Sequence, residues 1–162
     1  MPRALVTGPT SGIGKEFTRT LAGQGHDLVL VSRDQVRLDE LSQELQNEFG
    51  VDVRTISADL TNRSDITAIA EVIRNDSFDV LVNNAGFGVK GAFLDTNVDQ
   101  EQAMLDILIT AVMQLSHAAL PGMVNRGRGY IFNVSSVAGW ITGGTYSAAK
   151  AWVTVFTEGL GV

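Results

Sequence analysis

Tyr146 and Lys150 carry side chains that could exchange a proton with an oxygen atom. They stand four positions apart in the segment 145–150, and on a helix this spacing places both side chains on one face. An isolated phenol, with a pKa near 10, is scarcely ionised at about pH 7, whereas a cation within a few ångströms favours the phenolate. The pair could therefore serve as a general acid or base on an alcohol or a carbonyl. Because the Tyr-x-x-x-Lys spacing is common, a solvated helical face is the alternative interpretation of these two residues alone.

A glycine-rich turn near the start of the chain could hold a diphosphate. An apolar run at residues 4–7 precedes the turn, and the helical pattern of Phe17, Leu21 and Ala22 follows it, which is typical of a strand, a turn and a helix. Glycines let the backbone approach a ligand closely, and the helix offers it unpaired N–H groups. An ordinary turn is the alternative interpretation. The residues expected to bind the diphosphate are Gly8, Thr10, Ser11, Gly12, Ile13 and Gly14.

Four motifs follow one another in the order typical of a known family. They are Thr7-Gly8-x-x-x-Gly12-Ile13-Gly14, Asn83-Asn84-Ala85-Gly86, Ser135-Ser136 and Tyr146-x-x-x-Lys150. With these motifs the chain resembles the single-domain branch of the short-chain dehydrogenase/reductase family, from the first predicted strand to the last residue. The resemblance implies an NAD(P)-dependent oxidoreductase that interconverts a carbonyl and an alcohol by hydride transfer.

The resemblance also implies a role for individual residues. Tyr146 would move the proton on the substrate oxygen, Lys150 would favour the phenolate and hold the nicotinamide ribose, and Ser136 would orient the carbonyl. Ser135 is the only other nearby candidate for this role. For Ser136 itself, the alternative is a loop hydroxyl bonded to its own backbone. Asp59 matches an aspartate that contacts the adenine ring, although aspartates are also common turn residues. The residues implied to contact the cofactor beyond the glycine turn are Asp59, Leu60, Asn83, Ala85, Gly86, Tyr146 and Lys150.

The end of the second predicted strand indicates which cofactor is used. An enzyme that prefers NAD usually has a carboxylate there to accept from the ribose hydroxyls, whereas an arginine suits a 2′-phosphate. This chain has Ser32-Arg33, and we expect the following Asp34 to cap the next helix. We therefore favour NADP over NAD, with Arg33 as the 2′-phosphate ligand. A solvated surface charge is the alternative for Arg33.

Alternating strands and helices must position these residues. Apolar runs and helical periodicity predict strands at 4–7, 27–31, 51–57, 78–82 and 130–134, and helices at about 35–49, 64–74 and 99–119 and from about 145. This order predicts an α/β fold, a Rossmann-like doubly wound parallel sheet of about five strands, as one domain over residues 1–162. Ligands bind such sheets at the carboxyl ends of the strands, where the glycine turn, the Asn-Asn-Ala-Gly motif and the serine pair lie.

Composition argues against several other classes of protein. A net charge of −6 makes nucleic acid an improbable partner, since binding to phosphate backbones needs a basic surface. The chain has no cysteine, which excludes disulfides and sulfur-based zinc sites, and His26 and His117 are too separated to suggest a metal site. The first strand begins by Ala4, which leaves no room for a signal peptide, and no apolar run approaches the ~20 residues of a membrane span. We expect a cytoplasmic protein without a membrane partner.

Three departures from the family pattern are visible in the sequence. Leu108 stands where the family usually has an asparagine that organises a proton-relay water, and the segment between Ser136 and Tyr146 is a few residues short. The chain also stops at Val162, where family members continue through two more strands and a mobile segment that closes over the substrate. A catalytically impaired dinucleotide-binding module, or a fragment acting through self-association, is therefore the alternative to an active enzyme.

This ending also leads us to expect self-association. The fifth strand would be an exposed edge, and Trp152, Val153 and Phe156 on the last helix would lack cover. In the family, the long helix before strand five and the helix with the Tyr/Lys pair form the dimer interface. We therefore expect a homo-oligomer through the helix at 99–119 and the helix of Tyr146 and Lys150, acting on a small carbonyl or alcohol substrate.

Overall fold

Short runs of Val, Leu and Ile form the strands of one parallel sheet. The computed structural model describes residues 1–161 and has strands β1 (Arg3–Thr7), β2 (Asp27–Ser32), β3 (Val53–Ser57), β4 (Val80–Asn83) and β5 (Tyr130–Asn133). They lie in the order β3-β2-β1-β4-β5, and all neighbours are parallel. The reversal of strand order on either side of β1 creates the crevice in which such sheets bind ligands.

Helices connect the strands and cover both faces of the sheet. They are α1 (Gly12–Gly23), α2 (Gln35–Phe49), α3 (Arg63–Asn75), α4 (Val98–Leu105), α5 (Ala111–Arg126) and α6 (Gly144–Leu160). A π-helical segment, Asp106–Thr110, joins α4 to α5, and short 3₁₀ helices cover Phe93–Asp95 and Val137–Trp140. The predicted doubly wound α/β sheet is confirmed.

Alternate strand residues enter two separate cores. On one face Leu5, Val29 and Leu81 pack with residues of α3 and α5, including Ile66 and Leu115. On the other face Ala4, Val6, Leu28, Leu30 and Val82 pack with the apolar stripes of α1 and α2. Successive strand side chains point to opposite faces, so a strand buried on both sides is apolar throughout, which explains the unbroken apolar runs.

The long helix differs from its predicted bounds of 99–119. It runs over 98–126 through the π-helical segment and Pro121, and it ends at Gly127, whose φ of +66° closes the helix in the left-handed region. Pro121 and Gly122 look like a helix end in the sequence. The helix continues because Met123 is buried in the core, and Arg126 donates from Nη2 to the carbonyl oxygen of Phe78.

The sequence predicts an exposed edge at β5 and uncovered apolar residues on the last helix, and the structure agrees only with the first. β5 lies at one edge of the sheet, as expected, and its Tyr130 and Phe132 are exposed to 67% and 43%. Val153, by contrast, does not lack cover: it is 1% exposed and packed within the chain itself. Trp152 and Phe156 are half-buried and stack on each other with ring centroids 4.6 Å apart.

One helix among residues 1–161 is long and apolar enough to cross a membrane by length and composition alone. It is the run 98–126, in which an 18-residue stretch has a mean hydropathy of 1.5. Its residues Met104, Leu108 and Leu115 are buried in the core beside the sheet.

Candidate active site

The turn between β1 and α1 has the shape of an anion cradle. Gly8 and Gly12 have φ of +65° and +52°, a region that glycine enters without strain. A Cβ at Gly14 would lie 2.1 Å from the carbonyl oxygen of Gly8, so only glycine allows α1 to begin this close to the turn. Ser11, the N-cap of α1, makes no side-chain cap bond, whereas Asp34 accepts from a backbone N–H of α2 as predicted. The first N–H groups of α1 therefore lack a side-chain cap and suit an anion.

Asn84 holds this turn in place. Its Nδ2 donates to the carbonyl oxygens of Thr7, at 3.2 Å, and Gly8, at 2.9 Å. The Thr7 hydroxyl in turn accepts from the backbone N–H groups of Asn84 and Ala85. The loops after β1 and β4 are thus clamped together. The predicted site residues did not include Asn84, although it stands within the Asn-Asn-Ala-Gly motif, which was the signal that could have found it.

A cavity of about 150 Å³ lies at the carboxyl ends of β1, β2 and β4. It brings together five residues predicted to bind a cofactor: Gly8, Arg33, Leu60, Ala85 and Gly86. Arg33 is exposed, and its guanidinium forms no ion pair with another residue of the described chain. The neighbouring Asp34 is engaged with Arg37, at 3.4 Å between the charged groups. Arg33 is therefore the cation available at this cavity.

The side chains of Asn83 and Asp59 are bonded within the protein. Asn83 is buried, and its Nδ2 donates to Ser116 Oγ at 3.2 Å and to Asn133 Oδ1 at 2.8 Å. Asp59 Oδ1 accepts from the backbone N–H and the hydroxyl of Thr61, which shapes the turn before α3. Asn83 thus ties β4 to α5 and β5. Contacts of these two residues with a cofactor stay predictions.

Tyr146 and Lys150 share one face of α6, as their spacing predicts. Lys150 Nζ lies 5.8 Å from the centroid of the Tyr146 ring. Lys150 is 7% exposed, and its Nζ donates to the carbonyl oxygen of Val134 at 2.7 Å. Burial lowers the pKa of Lys150 below its ordinary value of 10.5, because the charged form is the one that loses hydration. The Tyr146 ring is half-buried beside Gly88, where an added Cβ would lie 3.4 Å from the ring.

The two adjacent serines after β5 have different partners. Ser135 Oγ donates to the carbonyl oxygen of Lys150 at 2.8 Å and lies 2.8 Å from Thr154 Oγ1, so its hydroxyl is directed at α6. Ser136 Oγ accepts from the backbone N–H of Ala138 at 3.2 Å and caps the 3₁₀ helix. The local backbone bond considered for Ser136 is thus present. It uses only an acceptor position, which leaves the Ser136 proton for another group.

Leu108 lies in the π-helical segment and is 2% exposed. A Cβ at Gly86 would lie 2.5 Å from Leu108 Cδ2, so the leucine packs directly against the loop that follows β4. Its aliphatic side chain can neither donate nor accept a hydrogen bond. This position serves packing here. Within residues 1–161, no group of three or more His, Asp or Glu side chains could hold a metal ion.

Known proteins share this architecture over nearly the whole chain. A family model described as short chain dehydrogenase matches residues 2–162. A very-long-chain 3-oxoacyl-CoA reductase of Laccaria bicolor is 36% identical over 165 residues, which covers 98% of this chain and 49% of the reductase.

Two solved structures of similar proteins superpose closely on this chain. A short-chain dehydrogenase from Sphingobium yanoikuyae, in complex with NADPH, is 38% identical with a TM-score of 0.96, and the match covers 99% of this chain and 64% of that one. A bulky-bulky ketone specific alcohol dehydrogenase from Comamonas testosteroni is 36% identical with a TM-score of 0.96, over 99% of this chain and 66% of the other. The chain therefore spans about half to two thirds of the length of these three proteins.

Proposed function

The chain belongs to the short-chain dehydrogenase family, and on that premise we propose that it is an NADP-dependent oxidoreductase that interconverts a carbonyl and an alcohol. The observation that carries this proposal is the buried ammonium of Lys150 beside the ring of Tyr146. The pair stands on the helix that follows β5, at the sheet end that also carries the glycine turn. A proton-transfer pair and an anion cradle at one sheet edge are the two halves of a hydride-transfer site.

The residues present fit a dinucleotide. The start of α1 offers N–H groups without a side-chain cap, and Gly8 and Gly12, both at positive φ, expose backbone that no Cβ atom shields. An arginine at the end of β2, free of an ion pair among residues 1–161, favours a 2′-phosphate, and the Sphingobium relative was solved with NADPH. These features support NADP before NAD, with Arg33 as the residue that distinguishes the two.

The proposed mechanism gives each side chain one task. A reduced nicotinamide cofactor, when bound, supplies the hydride that the carbonyl carbon receives. Tyr146 gives its phenolic proton to the carbonyl oxygen as the alcohol forms, and takes it back in the reverse direction. Lys150 holds positive charge beside the phenol and so stabilises the phenolate left behind. The Ser136 proton is free to hydrogen-bond the substrate oxygen and to orient it.

Self-association is part of the proposal. The helices over 98–126 and 144–160 expose Met113 and Val155 to 44% and 70%, although most of their other apolar residues are covered. Burying such side chains between two copies is favourable at about 25 cal/mol per Å². Sedimentation of the wild-type chain and of Val155→Glu tests this interface: we expect an oligomer that the charged variant weakens. A wild-type monomer would contradict it.

The proposed reaction is tested by following a labelled hydrogen. NADPH that carries deuterium at the transferred position is offered with a panel of aldehydes, bulky ketones and 3-oxoacyl thioesters, since the relatives include reductases of ketones. We expect deuterium on the carbinol carbon of at least one product, with an equal amount of NADPH oxidised. Binding of NADPH without label transfer to any carbonyl would contradict an oxidoreductase and favour a binding module.

A further inference from the structure

The segment directly after β5 hydrogen-bonds both polar groups of Lys150, its side-chain ammonium and its backbone carbonyl. The ammonium donates to the carbonyl oxygen of Val134, and the carbonyl oxygen of Lys150 accepts from the hydroxyl of the next residue, Ser135. Val134 is itself fixed to the sheet, because its N–H donates to the carbonyl oxygen of Asn83. Two consecutive residues directly after β5 thus fix both the position of this turn of α6 relative to the sheet and the place of the ammonium on it.

Ser135 and Thr154 form a small hydroxyl network at this junction. Three contacts join Ser135 Oγ, Thr154 Oγ1 and the Lys150 carbonyl oxygen, at 2.8, 2.8 and 3.1 Å. Two hydroxyl protons serve these three contacts, so one of them lacks a proton at any moment. Removal of the Ser135 hydroxyl would leave Thr154 bonded within its own helix. The hydroxyl link between the segment after β5 and this turn of α6 would then be lost.

Gly139 shows how closely the segment after β5 approaches the same turn of α6. A Cβ at Gly139 would lie 2.9 Å from the backbone N of Ala151 and 3.0 Å from the carbonyl C of Lys150. The 3₁₀ helix capped by Ser136 therefore rests directly on the backbone of Lys150. A displacement of α6 at this turn would change the spacing of Ser136, Tyr146 and Lys150 together.

We propose that Ser135 is a positioning residue: its hydroxyl fixes α6 against the segment that follows β5, so that the Lys150 ammonium stays bonded to Val134 and aligned with Tyr146. This inference rests on the proposed function. A buried ammonium that loses its acceptor is strongly disfavoured, so a small slip of α6 would release Lys150 from its place. A misplacement of about 1 Å in a reacting constellation can cost about a hundredfold in rate.

The chain provides a matched control for this role. Thr157, one turn further along α6, accepts a hydrogen bond from Asn133 Nδ2 at 3.0 Å, so it also links α6 to β5. Its hydroxyl donates to Val153 rather than to Lys150. Ser135→Ala and Thr157→Val each remove a hydroxyl that makes two hydrogen bonds, at least one of which joins α6 to β5 or to the segment directly after it. Each such bond is worth about 1 kcal/mol of stability. Only Ser135→Ala removes a bond to Lys150.

The steady-state constants separate positioning from general stability. We expect Ser135→Ala to lower kcat by about 10- to 100-fold with KM nearly unchanged, because the loss falls on the chemical step. Thr157→Val should keep kcat within about twofold, and Ser135→Thr, which retains a hydroxyl, should restore most of the activity. Equal kcat losses in Ser135→Ala and Thr157→Val, or an unchanged kcat in Ser135→Ala, would overturn the proposal.

Chemical access to Lys150 provides a readout that needs no turnover. Reductive methylation of the folded wild type, followed by peptide mass spectrometry, should leave Lys150 largely unmodified because its amine is buried. Ser135→Ala should increase methylation at Lys150, and Thr157→Val should not. If the wild type reduces no carbonyl, the proposed function fails while this comparison still decides the positioning role. Equal protection of Lys150 in all three proteins would overturn that role.

Discussion

The ammonium of Lys150 lies 5.8 Å from the centre of the Tyr146 ring, and the Lys150 side chain is buried. The carbonyl oxygen of Val134 accepts one of the three ammonium protons, which leaves two for a ribose, a substrate or the phenol. Burial and proximity to the phenol therefore occur together at Lys150. This combination makes the charge on Lys150 measurable through both stability and catalysis.

The first prediction concerns the pH dependence of stability. Burial lowers the pKa of folded Lys150 below the 10.5 that the unfolded chain keeps. Between the two values the unfolded state binds more protons, so the Lys150 contribution to the free energy of unfolding rises with pH, and it is lost as pH falls through the folded pKa. Urea unfolding of wild type and Lys150→Met over about pH 7 to 10.5 measures it. We expect the wild type to gain stability relative to the variant as pH rises. Parallel curves would contradict a lowered pKa.

The second prediction concerns cofactor choice. Arg33→Ala should weaken NADPH binding by about 1 to 3 kcal/mol, through loss of a charge-assisted contact, and should leave NADH binding unchanged. Arg37→Ala is the matched control, because Arg37 is also an exposed arginine near the end of β2 but pairs with Asp34. Fluorescence titration of both cofactors against wild type and the two variants provides the six affinities. Equal weakening of NADPH and NADH in Arg33→Ala would show that Arg33 is only a surface charge.

The third prediction compares two glycines of one helix. An added Cβ at Gly14 would lie 2.1 Å from Gly8 O and 2.3 Å from Asn84 Nδ2, whereas at Gly23 it would meet only the Phe49 ring, at 3.5 Å. Gly14→Ala should cost about 1 to 3 kcal/mol of stability and abolish dinucleotide binding, because α1 must move away from the turn. Gly23→Ala should be neutral or stabilising by up to about 1 kcal/mol. Denaturation and NADPH titration check both. Similar changes in stability and NADPH affinity at the two positions would refute the close approach of α1 to the glycine turn at Gly14.

Residue spacing was enough to predict the strands, the order of the main helices and the helix face that Tyr146 and Lys150 share. Apolar runs located the strands to within a few residues, and the four-residue interval placed Tyr146 and Lys150 together. The N-cap role of Asp34 was also predictable, because capping is local in sequence. Such features depend on neighbours within a few positions, where periodicity and propensity carry information.

Partners distant in sequence could not be predicted in this way. Asn84 donates hydrogen bonds to Thr7 and Gly8 across more than 70 residues, and the Ser135 hydroxyl donates to the carbonyl oxygen of Lys150. Only the assembled sheet brings these groups within hydrogen-bond distance. Val153 shows the same limit for packing: a side chain that looks uncovered in the sequence is buried within the folded chain.

The central claim is that Tyr146 moves a proton only in the chemical step. Tyr146→Phe keeps the ring beside Gly88 and Lys150 but removes the hydroxyl. The most direct test therefore measures the NADPH affinity and the carbonyl turnover of this variant and of the wild type. We predict an NADPH affinity within about twofold of wild type and a loss of at least about a hundredfold in kcat. Turnover at the wild-type rate in Tyr146→Phe would contradict the account.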